Sequence, residues 1–241
     1  MRLCIDWGNS RIKAAIFQDE KIVKDYNFSE DEALTGIVGL METHKPKAVI
    51  LSAVANYPPE LKMLLQDHAK LIILNSNTSL PIMNAYHSPD TLGADRLALA
   101  VAANHLFPQY DNLVISLGTA ITYNFLPKNR AFRGGNITPG MEMRFKALHE
   151  FTDKLPLVAQ QGDLVLLGYD TETSIRSGVM MGIAAEIDGM INFYKEQYPT
   201  LNVTLTGGNA PLFADKIKNQ IAHDSQLLLK GLDVILRHNV R

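Results

Sequence analysis

Short apolar runs alternate with amphipathic stretches along the chain, and two of these runs belong to a repeated motif. Residues 3–13 and 113–123 each contain an apolar run, then x-Gly-(Asn/Thr)-(Ser/Ala), then a second run of β-strand character. Gly8 and Gly118 lie nearly half the chain apart, which is too wide for a solenoid period. The repeat predicts two domains built on one plan, each opening with a strand, a tight glycine turn and a returning strand.

The rest of the pattern predicts strands and helices in mixed order. Strands are predicted over residues 2–7, 11–17, 20–26, 48–53, 71–74, 113–117, 120–126, 131–133 and 203–206. Helices are predicted over residues 29–43, 58–70, 95–107, 141–151, 173–197, 211–222 and 233–239, and loops over 75–92 and 134–140. Because both halves begin with a β-meander, we expect an α/β protein with mixed sheets, divided into domains 1–110 and 111–241.

Composition and charge narrow the possible functions. Apolar residues make up 46% of the chain and charged residues 20%, which is enough for a buried core. The net charge is −2, and no basic stretch resembles a nucleic-acid or membrane-binding segment, so we expect neither partner. Cys4 is the single cysteine and is expected in the core. The chain reaches Asp6 after a few apolar residues, so we expect no signal peptide and a cytoplasmic location.

The first glycine turn carries the clearest candidate chemistry. Asp6 lies at the end of a predicted strand, where its carboxylate could hold Mg²⁺ directly or through water. Lys13 on the returning strand could neutralise phosphate oxygens, and the turn between them could aim backbone N–H groups at an anion. An ordinary hairpin with a turn aspartate and a surface lysine is the structural alternative. The absence of a Walker A or G-x-G-x-x-G sequence disfavours a P-loop or dinucleotide fold.

A second candidate segment is Gly93-Ala94-Asp95-Arg96, at the start of a predicted helix. Asp95 there is either a helix cap or a functional carboxylate. Arg96 has the planar fork that suits a carboxylate ligand, although a solvated surface arginine is the alternative.

Later segments carry weaker signals. Thr171 precedes the long predicted helix and could be only its cap. Thr206-Gly207-Gly208 could let the backbone approach a nucleotide, or could be a bare turn. Gly178 and Gly182 lie four apart on one helix face, where small residues allow close helix approach within the chain or across a dimer.

Taken together and in order, these segments resemble the type III pantothenate kinases, the first enzymes of coenzyme A synthesis. The resemblance covers roughly residues 1–210 and is carried by the ordered set of motifs more than by any one of them. The matching stretches are residues 6–13, 93–96, 118–120, 134–140, 170–178 and 206–208.

The resemblance implies a fold and a reaction. The family belongs to the acetate and sugar kinase/actin superfamily, with two ribonuclease H-like domains and mixed sheets, and its members transfer the γ-phosphate of ATP to pantothenate. By analogy, Asp95 is the general base, and the residues implied to bind pantothenate are Tyr86, Gly93, Ala94, Asp95, Arg96 and Thr171. The residues implied to contact ATP and Mg²⁺, with Asp6 nearest the metal, are Asp6, Trp7, Gly8, Asn9, Ser10, Arg11, Ile12, Lys13, Thr119, Gly207 and Gly208. The resemblance also implies a homodimer in which Thr171 reaches the partner's site.

The chain departs from the family pattern at two positions. Ser116 stands where the family usually has an aspartate that binds K⁺ or NH₄⁺, and Asn124 stands where it often has aspartate. The second turn has therefore lost acidic character, which puts the monovalent-cation requirement in question. Two alternatives follow: a nucleotide-binding regulatory homologue with little catalysis, and a kinase of the same fold acting on another small hydroxylated acid.

Overall fold

The protein is described by a computed structural model over residues 1–240, which contains two larger sheets of identical strand order. The first sheet consists of β1 (Arg2–Trp7), β2 (Ile12–Gln18), β3 (Lys21–Phe28), β4 (Ala48–Ala53) and β5 (Lys70–Ile73). The second consists of β7 (Asp111–Leu117), β8 (Ala120–Leu126), β10 (Gly134–Pro139), β11 (Leu201–Thr206) and β12 (Ala222–His223). The first sheet has the order β3-β2-β1-β4-β5 and the second has the order β10-β8-β7-β11-β12.

The first sheet is mixed, because β1–β2 and β2–β3 pair antiparallel while β1–β4 and β4–β5 pair parallel. In the second sheet β11 pairs in parallel with both β7 and β12. A separate two-stranded pair joins β6 (Met83–Asn84) to β9 (Ala131–Phe132). The shared strand order confirms that the repeated sequence motif reflects a repeated architecture, and the mixed α/β class is as predicted.

Helices connect and cover the strands. They are α1 (Glu30–His44), α2 (Pro59–His68), α3 (Ala94–Leu106), α4 (Met141–Glu150), α5 (Thr171–Gln197), α6 (Ala210–Phe213) and α7 (Leu227–Asn239), with a 3₁₀ turn at Pro89–Thr91. The capping residues explain several boundaries. Glu32 reaches back to the Ser29 backbone at the start of α1, and Pro59 opens α2.

Two hydrophobic clusters cover the two faces of the first sheet. Leu3, Ile5 and Trp7 pack on the face that carries α1 and α2. Cys4 and Ala15 pack on the opposite face, with α3 and α7. The thiol of Cys4 is fully buried, as expected for a core residue, and burial raises its pKa.

The chain divides into two compact units that differ from the predicted domains. The first unit contains Met1–Gln109, Phe125–Gly134 and the segment from Gln226 onward, and the second contains Tyr110–Asn124 and Gly135–Ser225. Helix α7 groups with the first unit because its apolar face, including Leu232 and Leu236, packs with α3. Asp233 of α7 is also buried and accepts a 2.7 Å hydrogen bond from Arg2 on β1. These long-range contacts could not be deduced from the helical tail alone.

Several local predictions were wrong. The predicted loop over 75–92 contains β6 and the 3₁₀ turn, and the helix predicted over 233–239 begins earlier, at Leu227. Residues 134–140, predicted as a loop, contain β10, since the glycine-rich segment pairs with β8. The predicted helix over 211–222 is limited to the short α6. Beyond it, the backbone N–H groups of Lys218 and Asn219 donate to the carboxylate of Asp188 at 3.0 Å instead of continuing a helical ladder. Side-chain acceptors compete with helix propagation in this way.

Candidate active site

A row of three polar side chains crosses the first sheet at the end of β1. Asp6 is the register partner of Lys13 on β2 and of Ser52 on β4. Register partners on neighbouring strands project to the same face, and this face carries Cys4 and Ala15 beneath α3. The sequence predicted the Asp6–Lys13 pair but not Ser52. Its only local signal is a hydroxyl at the end of an apolar strand.

Asp6 has the electrostatics of a ligand-binding carboxylate. The residue is only 8% exposed, and its Oδ1 atom is buried without a hydrogen-bond partner in the part of the chain that the structure describes. The pKa of Asp6 is raised to about 7, mainly by burial and then by the negative charge of Asp95, while Lys13 opposes the shift. The structure therefore brings Asp6 and Asp95, which are remote in sequence, within electrostatic reach of each other.

These carboxylates fit a magnesium ion. Mg²⁺ is typically held by one or two carboxylates, with water and substrate phosphates completing its shell. Residues 1–240 contain no cluster of three or more histidine, cysteine, aspartate or glutamate side chains suited to a metal, so an all-protein cage is not available. An unpaired buried oxygen on Asp6 is the feature that a hydrated cation would satisfy.

The turn between β1 and β2 contains exposed residues and is flanked by residues of the hydrophobic core. Asn9, Ser10 and Arg11 are exposed, whereas Trp7 and Ile12 are each 2% exposed and belong to the cluster under α1 and α2. Gly8, which lies between them, is half-buried. The side chains of Trp7 and Ile12 thus pack in the core, so a ligand at this turn would meet them through their backbone.

Asp95 lies in the first turn of α3 but is not its cap. The cap residue is Gly93, and a Cβ atom there would lie 2.5 Å from the Asp95 Oδ1 atom, so glycine leaves room for the carboxylate. Burial raises the pKa of Asp95, while the Arg96 backbone N–H and the Arg96 charge lower it. The carboxylate is therefore partly desolvated at a helix N-terminus, which is the setting in which a carboxylate can be tuned as a base.

Arg96 and Tyr86 lie together in the first unit. Arg96 is 4% exposed, and its guanidinium carbon lies 5.9 Å from the centroid of the Tyr86 ring, within cation–π distance. Ala94 is also buried, at 9% exposure. Tyr86, Gly93, Ala94, Asp95 and Arg96 are thus grouped around the start of α3, and the coupling of Asp95 to Asp6 links this group to the end of β1.

The corresponding turn of the second unit has neutral chemistry. Ser116 on β7 is the register partner of Thr206 on β11, the positions that correspond to Asp6 and Ser52 in the first sheet. Thr119 is exposed in the turn, and the Gly140 N–H donates to its carbonyl at 3.1 Å. Gly207 has a φ of +98° and approaches the Leu117 backbone so closely that a Cβ atom could not be accommodated.

Asn124 has a structural role in this unit. It is 1% exposed, and its side-chain amide donates to the Val114 carbonyl at 3.3 Å and to the Thr122 hydroxyl at 3.0 Å. An amide can donate these bonds, whereas an ionised carboxylate can only accept. Both of these partners of Asn124 accept hydrogen bonds, so they suit the amide that stands where the family often has aspartate.

Thr171 is the first residue of α5 and is exposed, but it is not the cap. Asp170 is the cap residue, and its Oδ1 accepts a 2.8 Å hydrogen bond from the Thr173 backbone N–H. The alternative that Thr171 is only the cap of this helix is therefore wrong. Thr171 is exposed on the surface of the second unit.

Glu186 on α5 forms a hydrogen-bond and ion-pair cluster that sequence reasoning missed. Its Oε1 accepts hydrogen bonds from the Thr138 hydroxyl at 2.7 Å and the Tyr123 hydroxyl at 3.0 Å, and Arg144 pairs with its other oxygen. Arg144 also donates to the Pro139 carbonyl at 2.9 Å. These interactions connect β10 and the first turns of α4 to the long helix α5. No sequence signal identifies this cluster, because the partners come from separate segments.

An open apolar groove runs between α4 and α5 of the second unit. Its volume is about 700 Å³, and it is lined by Arg144, Ala147, Leu148, Phe151, Thr152, Ser174, Ile175, Gly178 and Val179. Phe151 is 87% exposed, and a Cβ atom added at Gly178 or Gly182 would meet nothing within 4 Å in residues 1–240.

Across residues 1–240, none of the helices combines the length and the apolar character that a membrane span requires.

Comparison with solved structures supports the predicted fold. The chain superimposes on a Streptomyces griseus ROK family glucokinase, solved with glucose and AMPPNP, with a TM-score of 0.58 and 12% identity, covering 99% of each chain. It also superimposes on a Campylobacter jejuni protein assigned to the Baf family of transcriptional activators, with a TM-score of 0.64 and 23% identity over 98% of each chain. At these identities the likeness shows the fold alone, and it confirms the expected mixed α/β fold.

Comparison with known sequences identifies the family. The sequence model described as type III pantothenate kinase matches residues 2–193. The type III pantothenate kinase of Phocaeicola vulgatus is 43% identical over 240 residues, which is 99% of each chain. That of Cytophaga hutchinsonii is 43% identical over 242 residues, which is 100% of each chain. On this evidence, and with the ordered motifs around Asp6 and Asp95 in one place, the chain belongs to the type III pantothenate kinase family.

Proposed function

We propose that this protein transfers the γ-phosphate of ATP to the primary hydroxyl of pantothenate, the first step of coenzyme A biosynthesis, in the cytoplasm. Family membership supports the reaction. The observation that carries the proposal is the electrostatic coupling of buried Asp6 to partly buried Asp95, with the cations Lys13 and Arg96 acting on these two carboxylates. A pure nucleotide-binding regulator would have no need for a desolvated carboxylate at Asp95.

Asp95 is the proposed general base. Phosphoryl transfer depends on positioning and charge neutralisation more than on covalent help from the protein. Asp95 would hold the attacking hydroxyl in line with the phosphate and accept its proton. Burial raises its pKa, which favours proton acceptance, while the Arg96 N–H and the Arg96 charge lower the pKa.

Asp6 and Lys13 are proposed to hold the phosphate end of the nucleotide. Asp6 would bind Mg²⁺, which neutralises charge on the phosphate oxygens when it is bound. Lys13, the register partner of Asp6, would contact the phosphates directly. The exposed backbone around Asn9 and Ser10, together with Thr119, Gly207 and Gly208 of the second unit, is proposed to contact the rest of ATP.

Arg96 is proposed to bind the pantothenate carboxylate. Its guanidinium is buried and lies over the face of Tyr86, which restricts its orientation. Gly93 and Ala94 are proposed to belong to the same pantothenate site, and Thr171 is proposed to reach the site of the partner subunit. We further propose that a monovalent cation, K⁺ or NH₄⁺, is bound weakly or not at all, because Ser116 contributes an oxygen but no negative charge.

We also propose a homodimer through the second unit. The groove between α4 and α5, with exposed Phe151 and the uncovered face at Gly178 and Gly182, offers apolar surface of the kind that protein interfaces bury. Light scattering of an active sample at micromolar concentration should give twice the mass of the 26.7 kDa chain. The mass of a single chain in such a sample would remove the dimer from the proposal.

The reaction is tested by an ATP-consumption assay with and without pantothenate, with the product identified by mass. We expect pantothenate-dependent consumption and a product heavier than pantothenate by one phosphoryl group. The absence of product between about pH 6 and pH 8.5, with K⁺ and NH₄⁺ varied, would contradict the kinase proposal and favour the regulator. Parallel assays with other small hydroxylated acids distinguish pantothenate from a different substrate.

A further inference from the structure

Ser52 is an unpaired polar side chain beside the proposed cation position. It is fully buried on β4, and its hydroxyl has no hydrogen-bond partner among residues 1–240. Its register partner is Asp6, whose Oδ1 atom is also buried and unpaired. Neighbouring strands lie about 4.8 Å apart, so the two side chains are side by side on one face.

Two unpaired polar groups in adjacent positions call for an explanation, because buried polar atoms are nearly always hydrogen-bonded. The second sheet supplies a comparison. Thr204 on β11 also has a buried hydroxyl without a partner in the described chain, but its register neighbours are Val114 and Ala222. The Ser52 hydroxyl therefore differs from that of Thr204 in lying next to a carboxylate of the site.

We propose that Ser52 is a further binding residue of this site, whose hydroxyl accepts a hydrogen bond from a water molecule on the Mg²⁺ ion held beside Asp6. This inference rests on the proposed function. Mg²⁺ dehydrates reluctantly and keeps several waters, so its site needs acceptors for those waters as well as direct ligands. A serine hydroxyl has two acceptor lone pairs and can turn among staggered rotamers.

The neutrality of Ser52 suits this role. Asp6 already supplies the negative charge and Lys13 the positive charge of the row, and a second carboxylate beside Asp6 would add to the repulsion from Asp95. A hydroxyl orients a metal-bound water without changing that balance. The competing explanation is a fixed structural water bridging Ser52 and Asp6, as buried polar groups commonly bind.

The two explanations differ in what Ser52→Ala does. If the hydroxyl serves only a bound Mg²⁺ water, its removal relieves an unpaired buried group, and the melting temperature without ligand rises by about 2–4 °C. With ATP present, the dissociation constant for Mg²⁺ rises about tenfold, the usual scale for losing an outer-shell partner. Ser52→Cys keeps the size of the side chain with a weak acceptor and should weaken Mg²⁺ binding in the same direction.

Thr204→Val is the matched control, since it removes an unpaired hydroxyl from the other sheet. Its melting temperature should rise by a similar amount, while Mg²⁺ affinity, measured by titration calorimetry at fixed ATP, stays at the wild-type value. Equal Mg²⁺ affinities in wild type and Ser52→Ala would overturn the inference alone. A melting temperature of Ser52→Ala below wild type without ligand would assign the hydroxyl to a structural water. Failure of Mg²⁺ with ATP to bind the wild-type protein would overturn the proposed function and this inference together.

Discussion

The two larger sheets share one strand order, but the strand ends beside their glycine turns differ in charge. In the first, Lys13, Asp6 and Ser52 lie in register across three strands, and Asp6 is a buried carboxylate. In the second, the positions of Asp6 and Ser52 are taken by Ser116 and Thr206, which are neutral. The shared architecture therefore does not require charge at this place. We infer that the charge of the first row is kept for its chemistry, because burial makes it costly.

The helices that follow the two sheets extend this contrast. Helix α3 follows β5 and carries Asp95 in its first turn, whereas α7 follows β12 and has no acidic residue in its first turn within the described chain. Both carboxylates of the proposed site thus come from the first unit. Three changes would break or sharpen this contrast.

The largest expected effect is on stability, from Asp6→Asn, which replaces the buried carboxylate of the first row with a neutral side chain. The pKa of Asp6 is raised from 3.8 to about 7, so the folded protein binds more protons than the unfolded chain between these values. Wild-type stability from this group therefore falls as the pH rises from about 4 to about 7, and is constant above. At pH 8 the variant should be more stable by up to about 4 kcal/mol, at roughly 1.4 kcal/mol per pKa unit.

The Asp6→Asn advantage should be nearly gone at pH 4 and should vanish at lower pH, where the wild-type carboxyl becomes protonated in the unfolded as well as the folded state. Urea unfolding of both proteins at pH 4, 6 and 8, without Mg²⁺ or ATP, measures it. A variant less stable than wild type at pH 8 would show that Asp6 has a structural partner and that its charge is not a burden on the fold.

The next largest effect is expected from Asp95→Asn, which removes the carboxylate that distinguishes α3 from α7. We expect kcat to fall about 100-fold or more, the scale of a lost general base, while ATP still binds. Steady-state kinetics and ATP titration measure the two quantities. Activity within a few-fold of wild type would mean that Asp95 serves only the N-terminus of α3.

The smallest effect is expected from Ser116→Asp, which gives the second row an acid like that of the first. Coulomb attraction to a cation at about 4 Å is roughly 4 kcal/mol at an effective dielectric of 20, and part of it is offset by desolvation of the carboxylate. We therefore expect K⁺ activation about tenfold tighter than in wild type. The rate is measured against KCl at constant ionic strength. Saturation at low millimolar K⁺ in wild type, unchanged in the variant, would place cation binding elsewhere.

Local sequence predicted the elements around the proposed site well. The helix predicted at 95–107 is α3, and the meander that opens the first half is present as β1–β3. In the second half β7 and β8 are as predicted, but the third strand of that sheet is β10, whereas the strand predicted at 131–133 is β9 and pairs with β6. Predictions failed where long-range contacts override local signals. The glycine-rich 134–140 segment becomes a strand because β8 pairs with it, and the helix predicted from residue 211 ends early because Asp188 binds the backbone beyond it.

The sequence by itself determined the repeated plan, the family, and the positions of Asp6, Lys13 and Asp95, because each belongs to a contiguous motif whose residue types carry their chemistry. Only the tertiary structure decided what surrounds them. It placed the unpaired hydroxyl of Ser52 beside Asp6, and it coupled Asp6 to Asp95. It also packed α7 against α3, so that α7 belongs to the first unit. These features depend on strand register and helix packing between segments distant in the chain, and the free energy that fixes them comes from burial of surface that no single segment can bury alone.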